Sequence, residues 1–435
     1  MADVRKTALS LLRDAEQNGK YIALSLSATL DACDIDSRDR ALLTQLVYGV
    51  TERRVTLDYY ISRLSDRPIE KIGARLLMVL RIGLYQLMFL DRIPPHAAVS
   101  QTVRLGKSEG ERAFVNAVLR GYLKKKDSAE LALPTDRIEN VSVRYSFPRG
   151  IVELIDENYG DKTESILENL SRHPQMTICV NTLVKSVEDA RKSLMENGIA
   201  SEKMDAPRAL HIKGNVTYEA LVNAIGENAF FVQDEASQLA ISMLAPKKGD
   251  VLVDACACPG SKSFHAALFM ENCGEIHCFD IHDSKLSLIE SGAKRLGIDI
   301  ISASAHDSRM ADEDLVGKCD CVICDVPCSG LGVMAKKPEI RYHEPEQYKE
   351  LAELGYEILC AAAKYLKAGG RLLYSTCTLT RAENEDNFRR FLSEHGEFEY
   401  VDFSLGDAVS ERGCATLLPS AEHDGFFIGL LRKKD

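Results

Sequence analysis

Tryptophan is absent from this 435-residue chain, and aromatic residues make up only 7% of it. No apolar run approaches the ~18 residues that a membrane-spanning helix needs, which argues against a membrane protein. The first twenty residues, MADVRKTALSLLRDAEQNGK, carry charges between their apolar positions, unlike a signal peptide. We therefore expect a cytoplasmic protein that makes no membrane contact.

Two phosphate-binding motifs are also missing. The sequence contains neither the G-x-G-x-x-G pattern of dinucleotide-binding domains nor the G-x-x-x-x-G-K-[ST] pattern of ATP-binding loops. Their absence argues against a dinucleotide cofactor and against an ATP cradle.

Cysteine, in contrast, is abundant. The chain has 13 cysteines, an odd number, and their spacing is irregular. A disulfide framework needs an even set in an oxidising compartment, so these thiols are expected to be free.

The charge is unevenly distributed. The whole chain carries a net charge of −11, but residues 1–126 carry +7 and the remainder carries −18. A basic front half favours contact with a polyanion, although ordinary solvated helix faces give the same asymmetry. If the front binds a nucleic acid, binding should weaken as salt rises. The basic residues in question are Arg53, Arg54, Arg63, Arg67, Lys124, Lys125 and Lys126.

Hydrophobic spacing divides the chain into three predicted regions. Residues 1–130 repeat apolar positions at three- and four-residue steps, which is typical of a helical bundle. Residues 140–228 mix helical stretches with the strand MTICVNTL and predict a small α+β segment. Residues 229–435 alternate buried strands with helices, which predicts a doubly wound parallel α/β domain. The last strand, in DGFFIGLLRKKD, is predicted to be antiparallel at the sheet edge.

Acidic residues follow four successive strands of the predicted sheet. The first strand ends in DACACPGSKS, which begins at Asp254 and leads into a helix expected from about Ser263; the next three end at Asp280, Asp307 and Asp325. A lone Asp after a strand is usually a turn or helix cap. Four in a row favour a nucleoside-bearing cofactor, because ligands of such sheets bind beyond the carboxyl ends of the strands. S-adenosylmethionine fits best, since its ribose needs a carboxylate.

Two cysteines follow neighbouring strands, Cys328 in DVPCSG and Cys377 in YSTCT. One reading is structural, because cysteine is among the most often buried residues. A second reading is a metal site formed by Cys328 with Cys319, Cys321 and Cys324. That site is disfavoured because Cys319 and Cys321 should point away from Cys324 on one extended strand.

The third reading is catalysis on a cytosine ring. A thiolate that adds to carbon 6 makes carbon 5 nucleophilic enough to attack a methyl sulfonium. Methylated carbon 5 must then lose its proton and the thiol must leave, which a second polar group assists. A carboxyl such as Asp325, hydrogen-bonded to the ring edge, would stabilise the adduct. Spacing alone leaves open which cysteine attacks.

These motifs resemble those of a known family. DACACPGSKS, DVPCSGLG and YSTCTLTRAENED occur in the order found in bacterial 16S ribosomal RNA cytosine-C5 methyltransferases of the RsmB/Fmu/Sun group, within the NOL1/NOP2/Sun family. The preceding FFVQDEASQLA also fits, as a strand. IPPHAAVSQTVRL and VNAVLR resemble the NusB-like helical RNA-binding domain of that group. The resemblance implies an all-α NusB-like domain at 1–130, a small α+β segment at 140–228, and a Rossmann-like methyltransferase domain at 229–435.

The resemblance also implies roles for individual residues. Cys377 would be the nucleophile, Cys328 would assist release of the product, and Asp325 and Lys262 would complete the catalytic set. The substrate would be 16S ribosomal RNA, naked or in an assembling small subunit, bound by a monomer that uses S-adenosylmethionine and no metal. The implied cofactor-binding residues are Cys256, Ala257, Cys258, Pro259, Gly260, Ser261, Lys262, Asp280, Asp307 and Asp325.

The sequence departs from the family pattern at two positions. Ser261 replaces a glycine, and a positive φ there would strain the turn by ~1 kcal/mol or more. Gly150 stands where relatives have a tryptophan. Two other functions compete: a non-catalytic RNA-binding or transcription factor, disfavoured by the intact cysteine pair, and a transfer RNA methyltransferase, disfavoured by the helical front.

Overall fold

The computed structural model describes residues 3–18, 22–32, 35–343, 346–406 and 408–435. The chain folds into two compact units. The first comprises Met1–Ser171 and Lys336–His343, and the second comprises Arg172–Ala335 and Glu344–Asp435. The predicted domain limits of 1–130, 140–228 and 229–435 stay a prediction.

The first unit is helical, as predicted. Helix α5 is apolar on nearly all sides and packs against α1, α3, α4, α6 and α7, so it forms the centre of the bundle. Within the described ranges, the helices of this unit are α1 (Val4–Asn18), α2 (Ile22–Ala32), α3 (Ser37–Glu52), α4 (Arg54–Leu64), α5 (Ala74–Phe89), α6 (Pro95–Val103), α7 (Glu109–Lys125), α8 (Arg137–Tyr145), α9 (Arg149–Tyr159) and α10 (Thr163–Leu170).

Local sequence explains where these helices begin. Asp36 and Ser108 are N-caps whose side chains accept hydrogen bonds from backbone N–H groups of the first turns of α3 and α7. Pro95 is the first residue of α6, a position at which its missing N–H costs nothing.

A short return segment, Lys336–His343, completes the first unit. Its Arg341 is only 2% exposed and donates to the backbone carbonyls of Glu52 and Leu170, each at 3.0 Å. The guanidinium also lies 3.9 Å from the centre of the Phe147 ring. Burial lowers the pKa of Arg341 to about 10. One cation thus ties the return segment to three parts of the bundle.

The second unit contains a small antiparallel sheet with strand order β2-β3-β1-β4. The predicted strand FFVQDEASQLA is wrong beyond its first residues. The chain leaves β4 and enters helix α13 (Glu235–Leu244), which Asp234 caps. The elements are β1 (Met176–Val180), β2 (Ser201–Lys203), β3 (Ala209–Ile212), β4 (Phe230–Val232), α11 (Val187–Glu196) and α12 (Tyr218–Ile225).

The larger sheet has nine strands, in the order β11-β12-β13-β9-β8-β5-β6-β7, with β10 paired to β13. Strands β5 to β9 are mutually parallel, which confirms the doubly wound prediction. Its strands are β5 (Val251–Asp254), β6 (Glu275–Asp280), β7 (Ile301–Ala305), β8 (Cys319–Asp325), β9 (Leu366–Thr376), β10 (Phe398–Tyr400), β11 (Val409–Glu411), β12 (Cys414–Leu417) and β13 (Phe426–Lys433). Its helices, besides α13, are α14 (Ser261–Phe269), α15 (Asp283–Leu296), α16 (Glu346–Ala362) and α17 (Glu385–Glu394).

Strand β13 is antiparallel to β9, as predicted, but it does not lie at the edge. Strands β10 and β12 both pair with its far side. These partners are only three and four residues long, too short for a period-two pattern to be recognised in the sequence.

Apolar layers cover both faces of the large sheet. Cys321 and Ile323 of β8 face one layer, and Val322 and Cys324 face the other. The predicted orientation of Cys319 is wrong: it packs in the same layer as Cys324, because the pairing of β8 is irregular between Cys319 and Cys321. Among the residues described, no group of three or more His, Cys, Asp or Glu is arranged to hold a metal ion.

No described helix is both long enough and apolar enough to cross a membrane.

Candidate active site

The site lies at the carboxyl edge of the parallel strands. Strand β5 pairs with β6 on one side and β8 on the other, so the chain reverses its direction of progress across the sheet here. Such a switch point leaves a crevice beyond the strand ends where ligands bind. The pairing of Asp325 with Ser375 brings the ends of β8 and β9 side by side.

The turn after β5 needs glycine at position 260. Gly260 has φ +105°, and a Cβ there would lie 2.5 Å from the Phe264 ring. The turn is held by N–H donation from Ala257 to the Phe279 carbonyl, at 2.8 Å. Ser261 is the first residue of α14, two residues earlier than predicted, and its φ is not positive. The strain considered for Ser261 is therefore absent.

The predicted carboxylates surround this turn. Asp254, Asp280, Asp307 and Asp325 all act on Cys256: burial first, then these charges, raise the pKa of its thiol. The acidic strand ends therefore converge, as the sequence predicts.

Each of these carboxylates has a different environment. Asp280 accepts a hydrogen bond from the backbone N–H of His282 at 2.9 Å. Asp307 accepts three side-chain hydrogen bonds from Arg309, which help to lower its pKa to about 2. Asp254 is fully buried, and burial raises its pKa to about 7 despite donation from the Ser263 hydroxyl at 2.6 Å. Asp280 and Asp307 are only partly buried, so a ligand in the crevice can reach them, whereas Asp254 is out of reach.

Cys258 is partly buried and precedes a cis bond to Pro259. Its sulfur is 3.8 Å from the Lys285 carbonyl oxygen. Burial, followed by the charge of Asp280, raises the pKa of this thiol. Cys258 therefore belongs to the turn after β5 rather than to the cysteine pair.

Lys262 extends from α14 to the end of β8. Its ammonium lies 2.7 Å from one carboxylate oxygen of Asp325, and the Ser375 hydroxyl donates to the other oxygen at 2.8 Å. Burial alone would lower the pKa of Lys262, but the charges of Asp325, Asp254 and Cys377 raise it overall. The lysine is therefore a fixed cation in contact with the carboxylate.

The two predicted cysteines meet. The sulfurs of Cys328 and Cys377 are 3.4 Å apart, and both side chains are partly buried. The hydrogen bond to Cys377, together with burial, raises the pKa of Cys328 well above its ordinary value. Lys262, Asp325, Cys328 and Cys377 thus form one cluster beside the carboxylates.

Sequence reasoning missed several residues here. Ser375 orients Asp325, and Glu383 binds the loop that follows Cys328. Ile281 and Met310 are 60% and 64% exposed, close in sequence to Asp280 and Asp307. The sequence signal for the last two was an apolar residue one or three positions after an acidic strand end.

Family models match most of the chain. The model described as 16S rRNA methyltransferase RsmB/F matches residues 241–432. A NusB family model matches residues 2–124, and a ferredoxin-like domain model of RsmF/B-like methyltransferases matches residues 147–219.

Relatives match over nearly the full length. The probable ribosomal RNA small subunit methyltransferase B of Bacillus subtilis is 34% identical over 99% of both chains. The probable enzyme of the same name from Synechocystis is 33% identical over 100% of both chains. The enzyme named ribosomal RNA small subunit methyltransferase B in Proteus mirabilis is 30% identical over 94% of this chain and 95% of its own.

Solved structures share the fold. The crystal structure of PH0851 is 27% identical and superposes with a TM-score of 0.82 over 100% of this chain and 99% of its own. NSun6 from Pyrococcus horikoshii, solved with SFG, is 22% identical, with a TM-score of 0.58 over 67% of this chain and 99% of its own. The full-length relatives and the matching RsmB/F model establish that the chain belongs to the RsmB/F family of 16S ribosomal RNA methyltransferases.

Proposed function

We propose that this chain methylates carbon 5 of a specific cytosine in 16S ribosomal RNA, with S-adenosylmethionine as methyl donor and Cys377 as covalent nucleophile. The observation that carries the proposal is the 3.4 Å contact between the Cys328 and Cys377 sulfurs beside the Lys262–Asp325 ion pair. Two thiols are needed by a reaction that first makes and then breaks a bond to the ring.

The strand ends around the turn suit S-adenosylmethionine. Asp280 would accept hydrogen bonds from the ribose hydroxyls, as carboxylates at this position of such sheets do. Ile281 and Met310, which are 60% and 64% exposed, would offer apolar surface to the adenine ring. The cofactor supplies an electrophilic methyl group, and its positive charges are compatible with the surrounding carboxylates.

The charges near the two thiols support the division of roles implied by the resemblance. The Cys377 thiol interacts electrostatically with the Lys262 ammonium, which favours its thiolate. After Cys377 itself, the charges that act most strongly on Cys328 are those of the carboxylates Glu383 and Asp325, which favour its neutral thiol. Cys377 is therefore the better nucleophile, and its sulfur bonds carbon 6 of the ring.

Asp325 and Cys328 act on the ring edge and on carbon 5. Asp325 has both oxygens held, yet each retains a lone pair that accepts an N–H of cytosine. That hydrogen bond holds the ring while carbon 5 becomes electron-rich. Once Cys377 has bonded the ring, its charge no longer opposes ionisation of Cys328, whose thiol proton is lost to water. After methyl transfer, the Cys328 thiolate receives the carbon 5 proton. The electron pair of that C–H bond restores the ring double bond, and the Cys377 sulfur leaves.

The helical unit binds the RNA. Its basic residues include Arg53, Arg63 and Arg67, each of which lies 4.8 to 5.3 Å from the centre of an aromatic ring. Such pairs hold guanidinium groups in place, where they contact phosphates. The names of the full-length relatives support ribosomal RNA as the substrate class.

Bisulfite sequencing tests the proposal. Purified chain, S-adenosylmethionine and 16S ribosomal RNA are combined, with the RNA supplied either as a transcript or in small subunits. One cytosine should become protected from deamination, and Cys377→Ala should leave it unprotected. Absence of a protected cytosine with both RNA forms would refute the proposal. Protection of a cytosine in added transfer RNA instead would identify transfer RNA as the substrate.

A further inference from the structure

A buried carboxylate lies behind the cysteine pair. Glu383 lies in the loop between β9 and α17 and is only 2% exposed. Its carboxylate accepts hydrogen bonds from the Ser329 N–H at 2.7 Å and the Ser329 hydroxyl at 2.6 Å. It also accepts one from the Thr380 hydroxyl, at 2.5 Å. A side chain from the Cys377 loop therefore binds the residue directly after Cys328.

A second link joins the same two loops. The hydroxyl oxygens of Ser329 and Thr378 are 2.6 Å apart, and Thr378 directly follows Cys377. Ser329 has one hydroxyl proton, which it donates to Glu383, so the Thr378 hydroxyl must donate to Ser329. The direction of this chain of hydrogen bonds is set by the ionised carboxylate of Glu383.

The backbone around this network leaves little freedom. Gly332 donates its N–H to the Cys377 carbonyl at 2.9 Å, and a Cβ at Gly332 would lie 2.0 Å from the Gly425 carbonyl oxygen. The Tyr374 hydroxyl donates to the Glu383 carbonyl at 2.6 Å. Burial raises the pKa of Glu383, against the effect of its three donors. A carboxylate kept in such a place costs desolvation energy, and its donors must offset that cost.

We propose that Glu383 is a positioning residue that fixes the loops after Cys328 and Cys377 to each other and so keeps the two sulfurs in contact. The inference rests on the proposed function, because the proposed reaction needs both thiols in place. That need explains why the chain keeps a buried carboxylate despite its desolvation cost. Glu383 itself does not touch the ring. It acts through Ser329 and Thr378, one residue away from each sulfur-bearing residue.

The chain offers a matched control two residues away. Glu385 is also buried, its pKa is also raised by burial, and it accepts a hydrogen bond from the Thr416 hydroxyl at 2.8 Å. Thr416 belongs to β12, so Glu385 supports the sheet rather than the cysteine loops. A general loss of stability should slow the reactions of the thiols in both Glu383→Gln and Glu385→Gln. Loss of the thiol geometry should slow them only in Glu383→Gln.

The first experiment measures how fast the covalent protein–RNA adduct forms in a Cys328→Ala background, where release is blocked. Adding Glu383→Gln should slow adduct formation at least about tenfold, because small misplacements of a nucleophile cost that much or more. Adding Glu385→Gln should change the rate by less than about twofold. An unchanged rate with Glu383→Gln would overturn the inference, whereas absence of any adduct in Cys328→Ala alone would instead overturn the proposed function.

The second experiment needs no RNA and no cofactor. Dibromobimane becomes fluorescent when two neighbouring thiols displace its two bromides, and peptide mapping identifies the bridged pair. Bridging of Cys328 to Cys377 should be fast in the unaltered chain and in Glu385→Gln, and at least about tenfold slower in Glu383→Gln. If Glu383→Gln does not fold, Ser329→Ala removes the hydroxyl that joins Glu383 to Thr378 while keeping the carboxylate, and should slow bridging in the same way. Normal bridging in a folded variant of either kind would refute the role.

Discussion

The two sides of the site are built differently. On the proposed cofactor side, Asp280 and Asp307 are each held by a residue two positions further along the same loop. On the cysteine side, the holding contacts cross between loops: Cys328 contacts Cys377, 49 residues away, and Ser329 contacts Glu383, 54 residues away. Because its contacts are local, each carboxylate is positioned independently of the other. The contacts between loops, in contrast, make the positions of the two thiols depend on each other. Single changes should therefore weaken the cofactor side in steps and disable the cysteine side at once.

The largest effect is expected from Cys377→Ala. Methyl transfer should fall by at least about 10³-fold, because the bond to carbon 6 cannot form. Binding of S-adenosylmethionine, measured by calorimetry, should be unchanged. Cys360→Ala is the control, since Cys360 is another partly buried cysteine of the second unit, on α16 outside the site. Retained activity in Cys377→Ala would remove the central role of this thiol.

A smaller effect is expected on the cofactor side. Asp280→Ala should weaken binding of S-adenosylmethionine by roughly 10- to 100-fold, the cost of one or two hydrogen bonds to a charged group. Asp307→Ala should cost less, because its carboxylate is already engaged by Arg309. Calorimetric titration gives both constants. A reversed order would show that Arg309 releases Asp307 when the cofactor binds.

A further effect concerns stability rather than activity. The pKa of Asp254 is raised to about 7 from 3.8, mainly by burial, so the folded chain binds a proton that the unfolded chain has lost between these values. The free energy of unfolding should therefore fall as pH rises from about 4 to about 7, by at most about 4 kcal/mol from this group. Asp254→Asn should flatten the slope in denaturant titrations across that window. An identical slope in both proteins would contradict the raised pKa.

Much of the fold follows from hydrophobic spacing. The helical front and the parallel strands β5 to β9 have long or buried apolar runs, from which their secondary structure can be predicted. Two features could not be predicted in this way. The break at Arg53 between α3 and α4 depends on packing, and the partners of β13 are very short strands. The return segment was also unpredictable, since Arg341 becomes buried only through carbonyl groups far away in the sequence.

The same distinction applies to the site. The acidic strand ends and the two cysteines were predictable because each follows its own strand, and parallel strands end at one edge. The role of Glu383 was not predictable, because an acidic residue just before α17 resembles the acidic residues that are common at the start of a helix. Its function depends on Ser329, which only the fold brings near. The absence of strain at Ser261 was not predictable either. The sequence does not show that the positive φ of this turn lies at Gly260 rather than at Ser261.

The most direct test of the account is the fate of RNA bound to Cys328→Ala. With S-adenosylmethionine and 16S ribosomal RNA, this variant should accumulate a species that migrates slowly on a denaturing gel and contains both protein and RNA. The species should disappear in the Cys328→Ala/Cys377→Ala double variant. Absence of the species from Cys328→Ala, or its persistence in the double variant, would contradict the division of one bond-forming and one releasing thiol.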